Sequence, residues 1–166
     1  MILLGNCISF VGCLLMIGIG FIKKKDHILT AQCAQFTIQG VAHILLGAMS
    51  GFLACVVSIL RIVAFTKLKP TVWLKIGFLA LQSLLTIAFG ADSFVDWLPV
   101  LSMVLYTWYL DTDSAVVFKL VNMAGSVMWV VYDLLYLNYV GFTFDILTII
   151  STTIGIALVQ LERRRK

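Results

Sequence analysis

Apolar runs of helix length follow one another along this chain with only short polar breaks. A helix that crosses a bilayer needs roughly 20 mostly apolar residues. The runs predict seven such helices, at 2–22, 28–47, 51–67, 71–90, 95–110, 115–136 and 141–161. Pro99 falls in the first turn of the short fifth helix, where the missing N–H would be unpaired in any case. Composition agrees with lipid as the solvent. Hydrophobic residues make up 61% of the 166 residues and charged residues 12%, against about 25% charged in a soluble domain. So few charges could not cover a water-facing surface.

The net charge of +4 does not read as a nucleic-acid footprint, because the basic residues sit in short clusters between apolar runs. Such clusters mark the cytoplasmic side of membrane proteins. With the N-terminus outside, Lys23–Lys25, Lys67 with Lys69, and Arg163–Lys166 all fall inside. Asp92 and Asp96 fall outside, and the acidic residues Asp111 and Asp113 on the inner side carry little weight in this rule. Residues 1–22 have no basic segment before them and no small-residue cleavage pattern, so they read as a retained first helix rather than a signal peptide. Cys7, Cys13, Cys33 and Cys55 lie in apolar runs without a C-x-x-C pair and read as small buried hydrophobes.

An internal repeat organises the chain. Gln32, Gln35, Gln39 and His43 share one face of the second helix. Lys119, Asn122, Ser126, Trp129 and Asp133 share one face of the sixth. An offset of 87 superimposes Gln32 on Lys119, Gln35 on Asn122 and Gln39 on Ser126. Each helix leads through a short connection to a glycine, Gly51 or Gly141, and then to Ser58 or Thr148 at equal distance. Two units of three helices point the same way only if an odd number of helices joins them. The fold expected is therefore an all-α polytopic membrane bundle forming a single membrane domain over 1–166. Its first repeat spans 1–67, its linker helix 68–91 and its second repeat 92–166. Parallel repeats of this kind are a known transporter plan.

The chain resembles the YgjV family of bacterial inner membrane proteins. The resemblance rests on Asp26, then AHILLGAMSG at 42–51, then Arg61. LPVLSMVLYTWYL at 98–110 and MWVVYDLLYLNYVG at 128–141 extend it over most of the chain. It departs from the family's pattern at Ala42, where the family's histidine stands one position from His43, and at Ser58, where the family tends to have asparagine. The family is similar, more distantly, to the three-one-three plan of SWEET and PnuC transporters. The resemblance implies an inner-membrane location and no established activity.

Polar groups inside a membrane usually face the bundle interior or a wet cavity. The expected pathway lining comprises Gln32, Gln35, Gln39 and His43 on the second helix, and Asn122, Ser126, Trp129 and Asp133 on the sixth. Ser58, Arg61, Asp145 and Thr148 complete it. Amides both donate and accept, which suits a neutral polar solute. The rival reading is interhelical hydrogen-bonding glue. Arg61 reads as a side chain snorkelling to the inner interface, or as a fixed charge at an inner mouth, with a direct pair to Asp145 disfavoured by depth. Asp133 reads as a protonatable group or as a carboxylate in water at the outer helix end. His43 reads as a proton relay or a satisfied histidine. Tyr106, Tyr109, Tyr132, Tyr136, Tyr139, Trp97 and Trp108 read as an aromatic belt.

His27 and His43 lie near opposite faces, so no metal site is expected. No cofactor motif and no catalytic constellation stands out, which disfavours an enzyme. The expected partners are membrane lipid, a small polar solute and no nucleic acid, with a homo-oligomer left open. Two functions follow: a transporter-like protein that binds a small polar solute between its repeats, or a non-transporting structural or assembly subunit.

Overall fold

The computed structural model describes residues 1–19, 25–68, 71–89, 93–109 and 115–165. Among them it contains seven α-helices and no strand. They are α1 (Ile2–Ile19), α2 (Lys25–Leu46), α3 (Met49–Lys67), α4 (Val72–Ala88), α5 (Leu98–Tyr109), α6 (Ala115–Leu135) and α7 (Tyr139–Arg165). A 3-10 turn, Phe94–Trp97, leads into α5. The expected fifth helix is therefore split, and Pro99 becomes the second residue of the α-helical part.

Lys23, Lys24, Lys69, Asp92, Asp111, Asp113 and Lys166 lie outside the described residues. So do the side chains of Lys25, Asp26, His27, Lys119, Asn122, Arg163, Arg164 and Arg165. Within the described set, α3 is long and apolar enough to cross a membrane, with 19 residues and a mean hydropathy of 2.0.

The α2–α3 and α6–α7 connections share one backbone design. Ala48 N donates to His43 O at 2.8 Å, and Asn138 N donates to Asp133 O at 2.8 Å. Gly47 N bonds to Ile44 O, and Leu137 N to Leu134 O. This pair of bonds is the Schellman ending, which needs a left-handed residue just past the helix. Gly47 meets that need at φ +75°, and Leu137 at φ +59°. Leucine has a Cβ that crowds its backbone there, a cost of roughly 1–2 kcal/mol. The two turns superimpose at an offset of 90, not the 87 expected for the polar faces. At that offset His43 matches Asp133 and Gln39 matches Trp129.

Neighbours follow a simple order. α2 packs between α1 and α3, and α6 packs between α5 and α7. α1 also meets α7, α3 also meets α5, and α4 lies against α3 and α5. Asn6 near the start of α1, both Schellman turns and the 3-10 turn gather at one end, joined by hydrogen bonds.

Burial is inverted relative to a water-soluble protein. Gln82, Thr107, Ser9 and Asn138 are 0% exposed, whereas Trp73 is 82% exposed and Leu84 65%. Apolar side chains on the perimeter suit lipid contact, and polar ones must find partners inside. The cysteines divide: Cys13 and Cys55 are buried as expected, Cys33 is half-buried and Cys7 is exposed.

Gly51 marks a close approach between α3 and α6. A Cβ there would lie 2.8 Å from Tyr132 Cε1, 2.9 Å from its Oη and 3.1 Å from His43 Cγ. Gly51→Ala is expected to cost about 1–3 kcal/mol by forcing two packed rings apart. The measure is thermal unfolding in detergent; an unchanged midpoint would mean that the rings yield freely.

Candidate functional site

The end that gathers the turns is held by a continuous hydrogen-bond chain. The first N–H groups of a helix have no partner within it, and Ala48 offers no side-chain cap to α3. Tyr132 on α6 supplies one from across the bundle, where its Oη accepts from Gly51 N at 2.7 Å. The same oxygen lies 2.9 Å from Ser50 Oγ, which donates to Asp96 Oδ1 at 3.1 Å. Tyr136 Oη also donates to Asp96 Oδ1. Ser93 donates to Asp96 Oδ2 through both its N and its Oγ, each at 3.1 Å. On α7 the cap is local, with Gly141 N donating to Asn138 Oδ1 at 3.1 Å. Asn6 fastens α1 to this turn by donating to Leu137 O at 2.9 Å and accepting from Val140 N at 3.1 Å.

Rings fill the space beneath. His43 stacks on Trp129 with centroids 5.6 Å apart. Tyr132 meets both edge-on, at 5.9 and 5.4 Å. The polar faces of α2 and α6 therefore touch directly at this level.

Deeper in the bundle, polar groups from several helices converge. Ser9 on α1 donates to Gln39 Oε1 at 3.0 Å, and Gln39 Nε2 donates to Cys13 Sγ at 3.4 Å. Asp145 on α7 is held by Ser126 on α6 and lies within electrostatic reach of Asp133 and Cys13. Asp133 also reaches Cys55 on α3. Nearer the turns, His43 Nδ1 and Asp133 Oδ1 are buried with no hydrogen-bond partner among the described residues, while the Asn138 side chain bonds the Asp133 carboxyl.

The structure brings Gln39, His43, Ser126, Trp129, Asp133 and Asp145 into this region, and sends others elsewhere. Asp133 is 3% exposed and not in water. His43 is 3% exposed, and its Nδ1 is unsatisfied. Arg61 does not snorkel: it is 6% exposed and donates to Thr107 Oγ1 on α5 at 2.9 Å. Tyr106 stands within electrostatic reach of both Arg61 and Asp145. Ser58 is buried one turn from Arg61 on α3, Gln35 is buried and Gln32 is half-buried. Thr148 bonds back to Phe144 O of its own helix. Asn122 lies on α6, but its side chain is outside the described residues. Tyr132 leaves the aromatic belt altogether, being 0% exposed, while Trp108, Tyr109 and Tyr139 stay exposed.

Sequence reasoning passed over two groups. One is the chain of Ser50, Asp96, Tyr132 and Tyr136, whose members lie far apart along the sequence. The other is the face of α4 carrying Lys75, Gln82 and Thr86, all buried. Lys75 Nζ donates to Trp108 O at 3.2 Å and Gln82 Nε2 to Thr86 Oγ1 at 3.4 Å. Spacings of seven and four in an otherwise apolar helix were the available signal.

The family model Imp-YgjV, described as bacterial inner membrane protein, matches residues 3–164. No curated protein and no solved structure matches the chain.

Asp96 lies outside the helical spans. Burial alone would raise its pKa, but bonds from Tyr136, Ser93 and Ser50 outweigh burial and hold it below the usual carboxylate range. A depressed folded pKa stabilises the fold above the unfolded value of about 3.9. That contribution fades as pH falls through the folded value. Asp96→Asn is expected to cost roughly 1.5–3 kcal/mol at neutral pH. The gap between native and variant unfolding midpoints should narrow in acid; a gap independent of pH would refute the account.

Proposed function

We propose, from the premise that the chain belongs to the Imp-YgjV family of bacterial inner membrane proteins, that it binds or passes a small polar solute between two like three-helix units. The units are α1–α3 and α5–α7, with α4 as linker. Exchanging α1, α2 and α3 for α5, α6 and α7 leaves the neighbour order of those six helices unchanged, which supports this division. The shared turn design at an offset of 90 supports it again. The start of α1 and three turns lie at one end, as successive helices that alternate in direction require. With the charge pattern, that end faces outward and the C-terminus faces the cytoplasm.

The observation that carries the solute reading is a pair of buried atoms without a hydrogen-bond partner among the described residues, His43 Nδ1 on α2 and Asp133 Oδ1 on α6. Leaving such a group unmade costs about 1–3 kcal/mol each, and a bound polar molecule removes that cost. The reading assigns no reaction chemistry to the chain. The structural-subunit reading draws on a specific observation too: the His43–Trp129 stack and the satisfied Tyr132 chain form a closed contact at one end. A protein that passes solutes also closes one end at a time, so the test belongs deeper.

Cys13 sits at that depth, 1% exposed and bonded by Gln39. A chain with Cys7, Cys33 and Cys55 replaced by serine should react at Cys13 with a small, charged, membrane-impermeant thiol reagent in lipid vesicles. Labelling requires water at that depth. If Cys13 stays inert while a chain keeping only Cys7 reacts, the region is dry and the structural role takes the lead.

A further inference from the structure

We infer that Arg61 anchors a second site, apart from His43 and Asp133, which takes a small oxyanion bearing a hydroxyl group between α3, α4 and α5. Arginine keeps its charge at any ordinary pH, and Arg61 is only 6% exposed. It donates to the neutral Thr107 Oγ1 on α5 at 2.9 Å. Its Nε is buried with no partner among the described residues. The titratable group within its electrostatic reach is the Tyr106 phenol and not a carboxylate. Asp145 reaches Tyr106, but its own partner is Ser126 on α6. α3, α4 and α5 carry no aspartate or glutamate. A guanidinium enclosed by such helices lacks the counter-charge that a buried ion needs.

A second observation comes from α4. Gln82 is 0% exposed, and its Oε1 has no partner among the described residues, while its Nε2 donates to Thr86 at 3.4 Å. Phe65 on α3 and Phe78 on α4 meet edge-on with centroids 5.7 Å apart. The two helices run in opposite directions. Arg61 lies one turn before Phe65 and Gln82 one turn after Phe78, so both stand at one level on facing sides. No direct bond joins them, although one is a donor and the other an acceptor. Lys75, two turns from Gln82 on the same face, donates to the Trp108 carbonyl, so Arg61 is the cation on which the site rests.

The two open atoms select the class of ligand. Arg61 Nε calls for an acceptor, and its charge makes an oxyanion the strongest one. Gln82 Oε1 calls for a donor, which a hydroxyl on the same molecule supplies. A water could bridge both atoms but would leave the charge uncompensated. Arg61 stands six residues from Lys67, about 9 Å along α3 from the end opposite the Tyr132 tie. The shared chemistry covers a free hydroxylated oxyanion and a lipid headgroup that joins a phosphate to hydroxyls.

Glycolate, acetate and ethylene glycol each have two carbons and separate charge from hydroxyl. Binding is read by ligand-observed proton NMR with the full chain in phosphatidylcholine nanodiscs. Glycolate should bind at least about tenfold more tightly than ethylene glycol, and at least about threefold more tightly than acetate. Arg61→Gln should erase the first preference, and Arg61→Lys should keep part of it. Gln82→Leu should erase the second preference alone, which reports on the site even if Arg61→Gln fails to fold. Native mass spectrometry after purification with phosphatidylglycerol separates the two sources. Phosphatidylglycerol held by the native chain and lost from the Arg61→Gln and Gln82→Leu variants assigns the site to a lipid headgroup. The glycolate preference without such retention assigns it to a free oxyanion. Equal affinity for glycolate and acetate overturns the hydroxyl requirement and the role of Gln82. Glycolate bound no better than ethylene glycol, with no phosphatidylglycerol retained, overturns the proposal and leaves a bridging water in its place. The reading of His43 and Asp133 stands or falls separately, by Cys13 labelling.

Discussion

The Tyr132 hydroxyl is the contact on which the rest of this arrangement depends. It satisfies the start of α3 from α6, and through Ser50 it passes that tie to Asp96 and on to Tyr136. Three connections distant in sequence are thereby held at one end of the bundle. In a lipid-facing protein such bonds matter because lipid offers no hydrophobic force between helices. The close approach they need is possible because residue 51 is glycine. Apolar packing at α1 and α7 then follows the same frame, fastened by the Asn6 clamp.

This tie closes one part of the polar interior and leaves neighbouring groups unsatisfied. Around Tyr132, hydrogen bonds are satisfied and rings are stacked, so that contact is closed. Beside that contact His43 Nδ1 and Asp133 Oδ1 are buried without partners among the described residues, and Asp133 lies within electrostatic reach of Asp145. A protein built only to hold its helices together gains nothing from that second arrangement. Membership in a bacterial inner membrane protein family agrees with the inverted burial, apolar outside and polar inside. The activity proposed rests on those unpartnered groups and not on the family.

Much of the architecture was legible along the chain. Helix-length apolar runs gave the seven helices to within a few residues, since length and hydropathy are local properties. The Gly51 and Gly141 positions marked matching turns, and their structures match. Gln39, His43, Ser126, Trp129, Asp133 and Asp145 could be nominated because polar residues at helical spacing in apolar segments stand out. The spacing rule placed the polar faces at an offset of 87, whereas the turns align at 90. A 3.6-residue period tolerates such slips, because shifting by three or four residues keeps the same face.

What the sequence determined alone was helix number, approximate limits, the polar faces and the family, all of which follow from local composition and short motifs. Tertiary structure decided which polar groups are satisfied. Arg61 turned inward to Thr107 rather than outward to the interface, and Tyr132 became a helix cap rather than part of an aromatic belt. Asp133 was buried rather than wetted. These outcomes depend on partners tens of residues away, and a hydrogen bond or a charge pair is set by distance in space, which no one-dimensional period encodes.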